Sequence, residues 1–155
     1  MPNSIAVIGL GNSLRRDDGI GVNILESLLN NYRRGPVDYL NFGIASFDII
    51  HRLQNYDAVL LIDGINADLP ACQLKIFALE EASFTEKNAL VSSHELNIKD
   101  IFKLTQKLEI KTKIYVAGIQ VMDVGFGEGF SAPLKEKTEE ITKQIDRFIQ
   151  ERLLK

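Results

Sequence analysis

Three residues far apart in the sequence carry side chains that bind metals or transfer protons. Asp18 is the second member of an acidic pair after a glycine-rich turn, Asp63 follows an apolar run, and His94 precedes a segment with helical periodicity. In an open sheet of parallel strands, the segments that leave the carboxyl ends of the strands meet at one edge. Two carboxylates and one imidazole at three such junctions would form a three-ligand site with positions left for water or substrate. A mixed oxygen and nitrogen donor set without thiolate suits zinc, nickel, cobalt or manganese.

The acidic pair also has a structural interpretation. Asp17 is a good N-cap for the helix that should follow, and Asp18 would lie in the first turn, where the helix dipole favours a carboxylate. Two adjacent acids with flanking glycines exceed what a cap requires. We therefore expect one of the two to cap the helix and the other to point across the top of the sheet.

Asp63 and His94 have structural alternatives of their own. An aspartate at the carboxyl end of a central apolar strand is costly to desolvate unless it is paired or bound to a cation. Capping of a following helix is the alternative for Asp63, but Ile65–Pro70 does not look helical. A lone histidine is more often structural, and Ser92 or Ser93 would cap a helix that begins near His94. Its expected position at the same sheet edge as the two carboxylates favours a ligand.

The glycine-rich turn suggests a second class of function, nucleotide binding, which its details disfavour. The G-x-G-x-x-G fingerprint of dinucleotide sites would place its third glycine at Leu14, where close helix packing requires a small residue. No acidic residue ends the second strand to bind a ribose, since the chain reads Asn41–Gly43 there. A pyrophosphate at the helix N-terminus would also be repelled by Asp17 and Asp18.

The remaining reactive side chains, His51 and Cys72, have patterns typical of structural residues. His51 lies within a predicted helix, where a surface or helix-packing position is expected. Cys72 has neither a cationic neighbour nor a base beside it in sequence, so we expect an inert core thiol. A single cysteine excludes a disulfide framework and a cysteine-built zinc site, and it suits a reducing cytosol. The sequence contains no G-x-S-x-G nucleophile turn, which argues against an acyl-enzyme mechanism.

Short apolar runs alternate with helix-period segments along the chain. Runs that are apolar on both faces are typical of strands in a parallel sheet with helices on each side. The alternation at Cys72–Ala78 instead predicts a half-exposed edge strand, for which antiparallel pairing is an open alternative. The other predicted strands are Ile5–Ile8, Val37–Phe42, Ala58–Ile62 and Lys113–Ile119. The predicted helices lie within Ile20–Leu29, Phe47–Gln54, Ile98–Leu108 and Ile141–Leu153.

The order of these elements predicts a three-layer α/β/α sandwich with a mostly parallel, twisted sheet of about five strands. We find no linker, repeat or low-complexity tract, so residues 1–155 are expected to form a single domain. The one long irregular segment, Met122–Pro133, is expected to be a mobile loop near the site.

Composition excludes two classes of partner. The 155 residues carry a net charge of −3, their basic residues are scattered, and Trp is absent, which argues against nucleic acid. No apolar run approaches the roughly 20 residues that span a bilayer, so no membrane partner is expected.

Four blocks of the sequence together resemble the nickel-iron hydrogenase maturation endopeptidases. The first block is specific, because G-L-G-N followed by an acidic pair and G-I-G over Gly9–Gly21 is hard to produce by chance. The later blocks are shorter and persuasive only together: Leu61–Asp63, Ser93–Leu96 and Gly118–Gln120. All four occur in the family's order and at similar spacing, so the resemblance covers essentially the whole chain.

The resemblance implies an α/β protease that trims a C-terminal extension from the precursor of a hydrogenase large subunit. It also implies recognition of nickel by three residues, whose matching positions are Asp18, Asp63 and His94. These are our candidate catalytic and metal-binding residues. The nickel is expected to arrive with the half-built centre of the precursor, so that cleavage follows metal insertion. The resemblance further implies a monomeric enzyme, and we expect it in the cytoplasm.

Two positions depart from the family pattern. The loop after the second strand usually reads Asp-Gly-Gly-Thr, but here it is Asn41–Ile44, and the usual proline after Gln120 is Val121. The missing carboxylate and hydroxyl bear on which precursor is cut, because such groups orient metal ligands and substrate. They also leave open a non-catalytic alternative, a metal-sensing or chaperone-like binder of the same precursor.

Overall fold

The computed structural model describes residues 4–82 and 96–155, and within those ranges it contains one sheet of five strands. The strands are β1 Ile5–Leu10, β2 Val37–Gly43, β3 Ala58–Ile65, β4 Leu74–Ala78 and β5 Lys113–Gln120. Their spatial order is β2-β1-β3-β5-β4. The β4–β5 pair is antiparallel and the other three pairs are parallel. The predicted mostly parallel sheet is confirmed, and the pairing of the edge strand, which the sequence left open, is antiparallel.

Helices cover both faces of this sheet. They are α1 Ile20–Asn31, α2 Asp48–Leu53, α3 Ile98–Lys107 and α4 Ala132–Phe148. The apolar faces of α1 and α4 pack on one side of the sheet, and those of α2 and α3 pack on the other. The predicted three-layer sandwich is therefore confirmed.

Alternate residues of the central strands fill the two apolar layers. Every residue of β3 is buried. Leu60 and Ile62 contribute to the layer under α1 and α4, whereas Val59 and Leu61 contribute to the layer under α2 and α3. Each such aliphatic side chain stabilises the fold by about 1.5–3 kcal/mol relative to exposure. The continuous apolar run that predicted β3 thus reflects burial on both faces.

Several predicted boundaries are corrected. β2 is the other edge strand and is only partly buried, because its outer side has no neighbouring strand. β4 begins at Leu74 rather than at Cys72, whose φ of +66° places it in a turn. α4 begins at Ala132, well before Ile141, with a proline in its first turn, where proline is tolerated.

The start of α3 also differs from its prediction. Asn97 is the N-cap, and it forms a capping box with Asp100: the Asp100 amide donates to Asn97 Oδ1 at 2.9 Å, and the Asn97 amide donates to Asp100 Oδ2 at 3.2 Å. The predicted caps, Ser92 and Ser93, lie outside the described residues. In residues 4–82 and 96–155, we find no helix with the length and apolarity that a bilayer span requires.

Candidate active site

Asp63 lies inside the central strand of the sheet. β3 continues two residues beyond it, and Asp63 is in register with Gly118 of β5. The side chain is completely buried. Because side chains alternate along a strand, Asp63 faces the same layer as Val59 and Leu61, the layer of α2 and α3.

Asp18 lies in a 3-10 turn, Arg16–Gly19, that packs on the carboxyl ends of β1 and β3. Two glycines permit this approach. A Cβ at Gly11 would lie 2.2 Å from the Asp18 carbonyl oxygen, and one at Gly21 would lie 2.3 Å from the carbonyl oxygen of Ile62. Gly11 therefore permits the close approach of the acidic turn to the segment after β1, and Gly21 permits the close approach of the start of α1 to β3.

The Asp18 carboxylate is almost fully buried and faces the loop after β1. It is 2% exposed, and its Oδ2 accepts a hydrogen bond of 3.0 Å from the Asn12 amide. Asp18 and Asp63 thus lie at the same edge of the sheet, where the residues after β1 and the end of β3 come together.

Asp17 does not have the capping role that the sequence suggested. The N-cap of α1 is Gly19, and neither α1 nor the 3-10 turn has a side-chain cap. Asp17 is completely buried, and its carboxylate accepts hydrogen bonds from the loop between β5 and α4. Residues more than 100 positions away supply these donors, so no local pattern could have predicted them.

His94 lies outside the described residues. Leu96, two positions later in the sequence, is buried in the apolar layer of α2 and α3, the layer that Asp63 faces. Within residues 4–82 and 96–155, no group of three His, Cys, Asp or Glu side chains is arranged to hold a metal ion. The proposed ligand set includes His94, so it remains a prediction.

Gln120 has a structural role at this edge that the sequence did not predict. Its Oε1 accepts hydrogen bonds from the amides of Ala67 and Leu69, at 2.9 and 3.2 Å, and its Nε2 donates to Asn66 Oδ1 at 3.1 Å. The side chain is 6% exposed. Gln120 therefore holds the connection that begins at Asn66, directly after the end of β3.

The loop that departs from the family pattern is joined to the glycine-rich turn. Asn41 Oδ1 accepts from the Gly43 amide at 2.8 Å, and the Gly43 carbonyl accepts from the Gly11 amide at 2.8 Å. Gly43 has a φ of +50°, which favours glycine. The altered loop thus lies next to the turn that contains Asp18.

The same hydrogen bonds argue against nucleotide binding at this turn. A phosphate on a glycine-rich loop accepts from backbone amides. Here the Gly11 amide donates to Gly43, and the Asn12 amide donates to the Asp18 carboxylate. Both amides therefore already donate within the protein, and the Asp18 carboxylate that accepts from Asn12 would repel a phosphate.

The other two candidates for chemistry are found where they were expected. His51 is exposed on α2. Cys72 is 7% exposed, and burial raises the pKa of its thiol, an effect that the negative charge of Asp17 increases. The predictions of a surface histidine and a buried thiol are confirmed.

Apolar side chains are exposed around the edge that carries the carboxylates. They belong to the loops after β1, β2 and β5: Leu14, Ile44, Phe47, Met122 and Phe126. A groove of about 490 Å³ lies next to Leu14, and its lining includes Ser13, Asn23, Glu26, Asn41 and Glu128. Exposed apolar clusters with polar surroundings are typical of surfaces that bind other proteins.

Comparison with known proteins adds independent information. The family model described as hydrogenase maturation protease (HycI) matches residues 22–152, a range that starts after Asp18 and includes Asp63 and His94. The hydrogenase expression/formation protein HoxM of Azotobacter vinelandii is 26% identical over 97% of this chain and 74% of its own length. The hydrogenase 2 maturation protease of Escherichia coli K12 is 29% identical over 74% of this chain and 71% of its own length. HoxM of Cupriavidus necator is 28% identical over 66% of this chain, and the match spans 51% of that relative.

Two solved structures share the fold. The [NiFe] hydrogenase maturation protease HycI from Thermococcus kodakarensis KOD1 superposes with a TM-score of 0.76 at 24% identity, over 96% of this chain and 94% of that one. The hydrogenase maturating endopeptidase HybD from E. coli superposes with a TM-score of 0.78 at 22% identity, over 96% and 93% of the two chains. At these identities the likeness is one of fold.

Proposed function

Because this chain belongs to the hydrogenase maturation protease family, we propose that it is an endopeptidase acting on the precursor of a nickel-iron hydrogenase large subunit. In this proposal the enzyme removes a C-terminal extension after nickel has been inserted. The observation that carries the proposal is the pair of buried carboxylates, Asp18 and Asp63, at one edge of a sheet that has the family's fold. The single cysteine suits a reducing compartment, so the proposed location is the cytoplasm.

Asp18, Asp63 and His94 are the proposed contacts to the nickel of the precursor. Two carboxylates and an imidazole form a borderline donor set that nickel accepts. One of the two carboxylates is proposed to orient the attacking water and to accept its proton. The nickel is part of the substrate, so its recognition acts as a checkpoint: only a metal-loaded precursor is held with its scissile peptide in position.

A protein substrate, rather than a small molecule, is supported by the surface around these residues. Leu14, Met122 and Phe126 are 60%, 52% and 84% exposed at this edge. Exposed apolar side chains that together form a patch mark surfaces that bind other proteins.

The test is a trimming assay on purified precursor, with and without nickel, read by intact mass. We expect the mass of the nickel-loaded precursor to fall by that of one C-terminal fragment, and the nickel-free precursor to stay unchanged. His94→Ala should lower the trimming rate roughly 100-fold or more, because one of the three contacts that hold the nickel-loaded precursor in position is lost. His51→Ala is the matched control, because His51 is the other histidine of the chain and is exposed on α2.

Asp18→Asn tests the carboxylates in the same assay, with the exposed Asp48→Asn as its control. Thermal unfolding of every variant shows whether it is folded. Trimming at the wild-type rate by folded His94→Ala would contradict the proposed ligand set. Binding of the nickel-loaded precursor without any change of its mass would instead identify the non-catalytic binder.

A further inference from the structure

The carboxylate of Asp17 joins both ends of the β5–α4 loop. Its Oδ2 accepts from the amides of Met122 and Asp123, at 3.0 and 3.1 Å, and from Ser131 Oγ at 2.8 Å. Its Oδ1 accepts from the Ser131 amide at 2.7 Å. Asp17 has no solvent exposure, so water does not compete for these bonds. A buried carboxylate with four donors is a strong anchor.

The residues before Asp17 hold the middle of the same loop. Arg15 and Gly127 form a parallel bridge, in which the Arg16 amide donates to Gly127 O at 3.1 Å and the Gly127 amide donates to Leu14 O at 2.9 Å. Arg15 Nε also donates to the Val124 carbonyl at 3.0 Å. The segment that the sequence predicted to be a mobile loop is therefore anchored at both ends and in the middle.

The next residue after this anchor is Asp18, a proposed nickel contact. On its other side, Asp18 is fixed by the Asn12 amide and by the close approach of its carbonyl to Gly11. Asp18 is thus held between the β1–α1 segment and the β5–α4 loop. A change in the anchor at Asp17 would move the neighbouring backbone and with it the Asp18 side chain.

We propose that Asp17 is a positioning residue: it locks the β5–α4 loop to the acidic turn, so that this loop sets the place of Asp18 in the active site. The inference rests on the proposed function of Asp18. It also gives a role to the acid at position 17, which forms no helix cap. An asparagine at this position would have only one acceptor oxygen. Its NH2 group would face N–H and O–H donors, with which it cannot form hydrogen bonds.

The test combines amide hydrogen exchange with steady-state trimming of nickel-loaded precursor. In Asp17→Asn, we expect the Met122, Asp123 and Ser131 amides to exchange about tenfold faster or more, because they lose their acceptor. The Asn12 amide, which reports on the Asp18 carboxylate, should also exchange faster. The kcat should fall about tenfold or more, with KM within threefold, because a small displacement of a catalytic group lowers the rate more than binding.

Two further variants make the result interpretable. Ser131→Ala removes one of the four bonds and should give changes in the same direction, about two- to threefold in kcat. Asp123→Asn is the matched control, since Asp123 is about half exposed and its side chain contacts Arg16 and the Gly125 amide, not Asp17. It should leave kcat and the Asn12 amide unchanged.

The inference is wrong if Asp17→Asn loosens the loop amides but leaves Asn12 exchange and kcat at wild-type values, for then Asp17 only holds the loop. If Asp17→Asn does not fold, the same pattern in Ser131→Ala decides the question. Should the wild-type protein fail to trim any nickel-loaded precursor, the proposed function fails. In that case the exchange of the Asn12 amide still tests the coupling of Asp17 to Asp18, because it needs no trimming activity. Faster exchange in the variants would support the coupling, and slower or unchanged exchange would contradict it.

Discussion

The two edges of the sheet carry grooves of similar size but of different chemistry. At the carboxyl edge, a groove of about 490 Å³ is lined by residues of the loop after β1, of α1 and of the β5–α4 loop, with the exposed Leu14 among them. At the amino edge, a groove of about 430 Å³ is formed by the segments that lead into β3 and β5, with Tyr56, Asp57 and Thr112 in its lining. Thr112 Oγ1 lies 2.8 Å from the carbonyls of Leu53 and Tyr56 there, which it links to the start of β5.

The difference shows that groove volume does not identify the site in this fold. Polar groups at the amino edge join one element to the next. At the carboxyl edge, Asp63 is completely buried in a strand whose other residues are apolar or glycine, and Asp18 is 2% exposed in the adjacent acidic turn. Buried carboxylates at the carboxyl ends of parallel strands, where ligands bind in such sheets, are candidates for function. We therefore expect changes at the amino edge to affect stability and changes at the carboxyl edge to affect activity.

The largest effect on stability is expected at the amino edge, from the ion pair between Arg34 and Asp146. Arg34 Nη2 lies 2.8 Å from Asp146 Oδ2, Arg34 Nε donates to Asp146 Oδ1 at 3.2 Å, and Asp146 is only 5% exposed. Asp146→Ala should lower the free energy of unfolding by about 2 kcal/mol, as expected for hydrogen bonds to charged groups. Urea denaturation measures this change, and trimming per folded molecule should not change.

Glu139→Ala on the same helix is the control for that measurement. Glu139 pairs with Lys143 at 3.5 Å, and both side chains are largely exposed. Its loss should cost no more than about 0.5 kcal/mol. Reduced trimming by folded Asp146→Ala would contradict the division between the two edges.

A smaller effect, on substrate binding alone, is expected from Phe126 at the carboxyl edge. Its ring is 84% exposed and lies against the Arg15 guanidinium, 5.1 Å from the ring centroid. If the precursor covers this ring, Phe126→Ser should raise KM about fivefold, equivalent to roughly 1 kcal/mol of binding energy. Steady-state trimming measures KM and kcat separately.

The control for Phe126→Ser is Leu108→Ser at the amino edge, where Leu108 is 53% exposed. That variant should leave KM unchanged. Equal effects of the two substitutions would mean that the carboxyl edge is not the docking face.

The last prediction is that nucleotides have no effect on the unfolding temperature. Because the turn amides of Gly11 and Asn12 already donate within the protein, neither NAD nor ATP should raise the unfolding temperature. Differential scanning fluorimetry at millimolar nucleotide tests this. A clear stabilisation would return nucleotide binding to consideration for the glycine-rich turn.

Much of the fold could be predicted because its signals are local. The apolar run that forms β3 and the helical periodicity of α1 each act within one element, so periodicity was sufficient. α4 was predicted too short, because the residues between Leu134 and Ile141 are mostly charged and only Leu134 itself is buried in that first part. Its start depends on packing against the sheet, which periodicity does not record.

The candidate site was predictable only in part. Asp18 and Asp63 could be singled out because an acid next to an apolar strand end is unusual, and both are buried at the carboxyl edge. The roles of Asp17 and Gln120 could not be predicted. Their partners, Ser131 and Ala67, are 114 and 53 residues away in the chain.

Residue types and their order were enough to predict the layers of this protein, its mostly parallel sheet and the residues most able to do chemistry, because each of these depends on short-range pattern. Only the tertiary structure shows that the two aspartates of the acidic pair have different hydrogen-bond partners. Adjacent aspartates have the same local surroundings, and they differ because the folded chain brings the β5–α4 loop to Asp17 and the Asn12 amide to Asp18. Hydrogen bonds between distant segments form only after the sheet has brought those segments together.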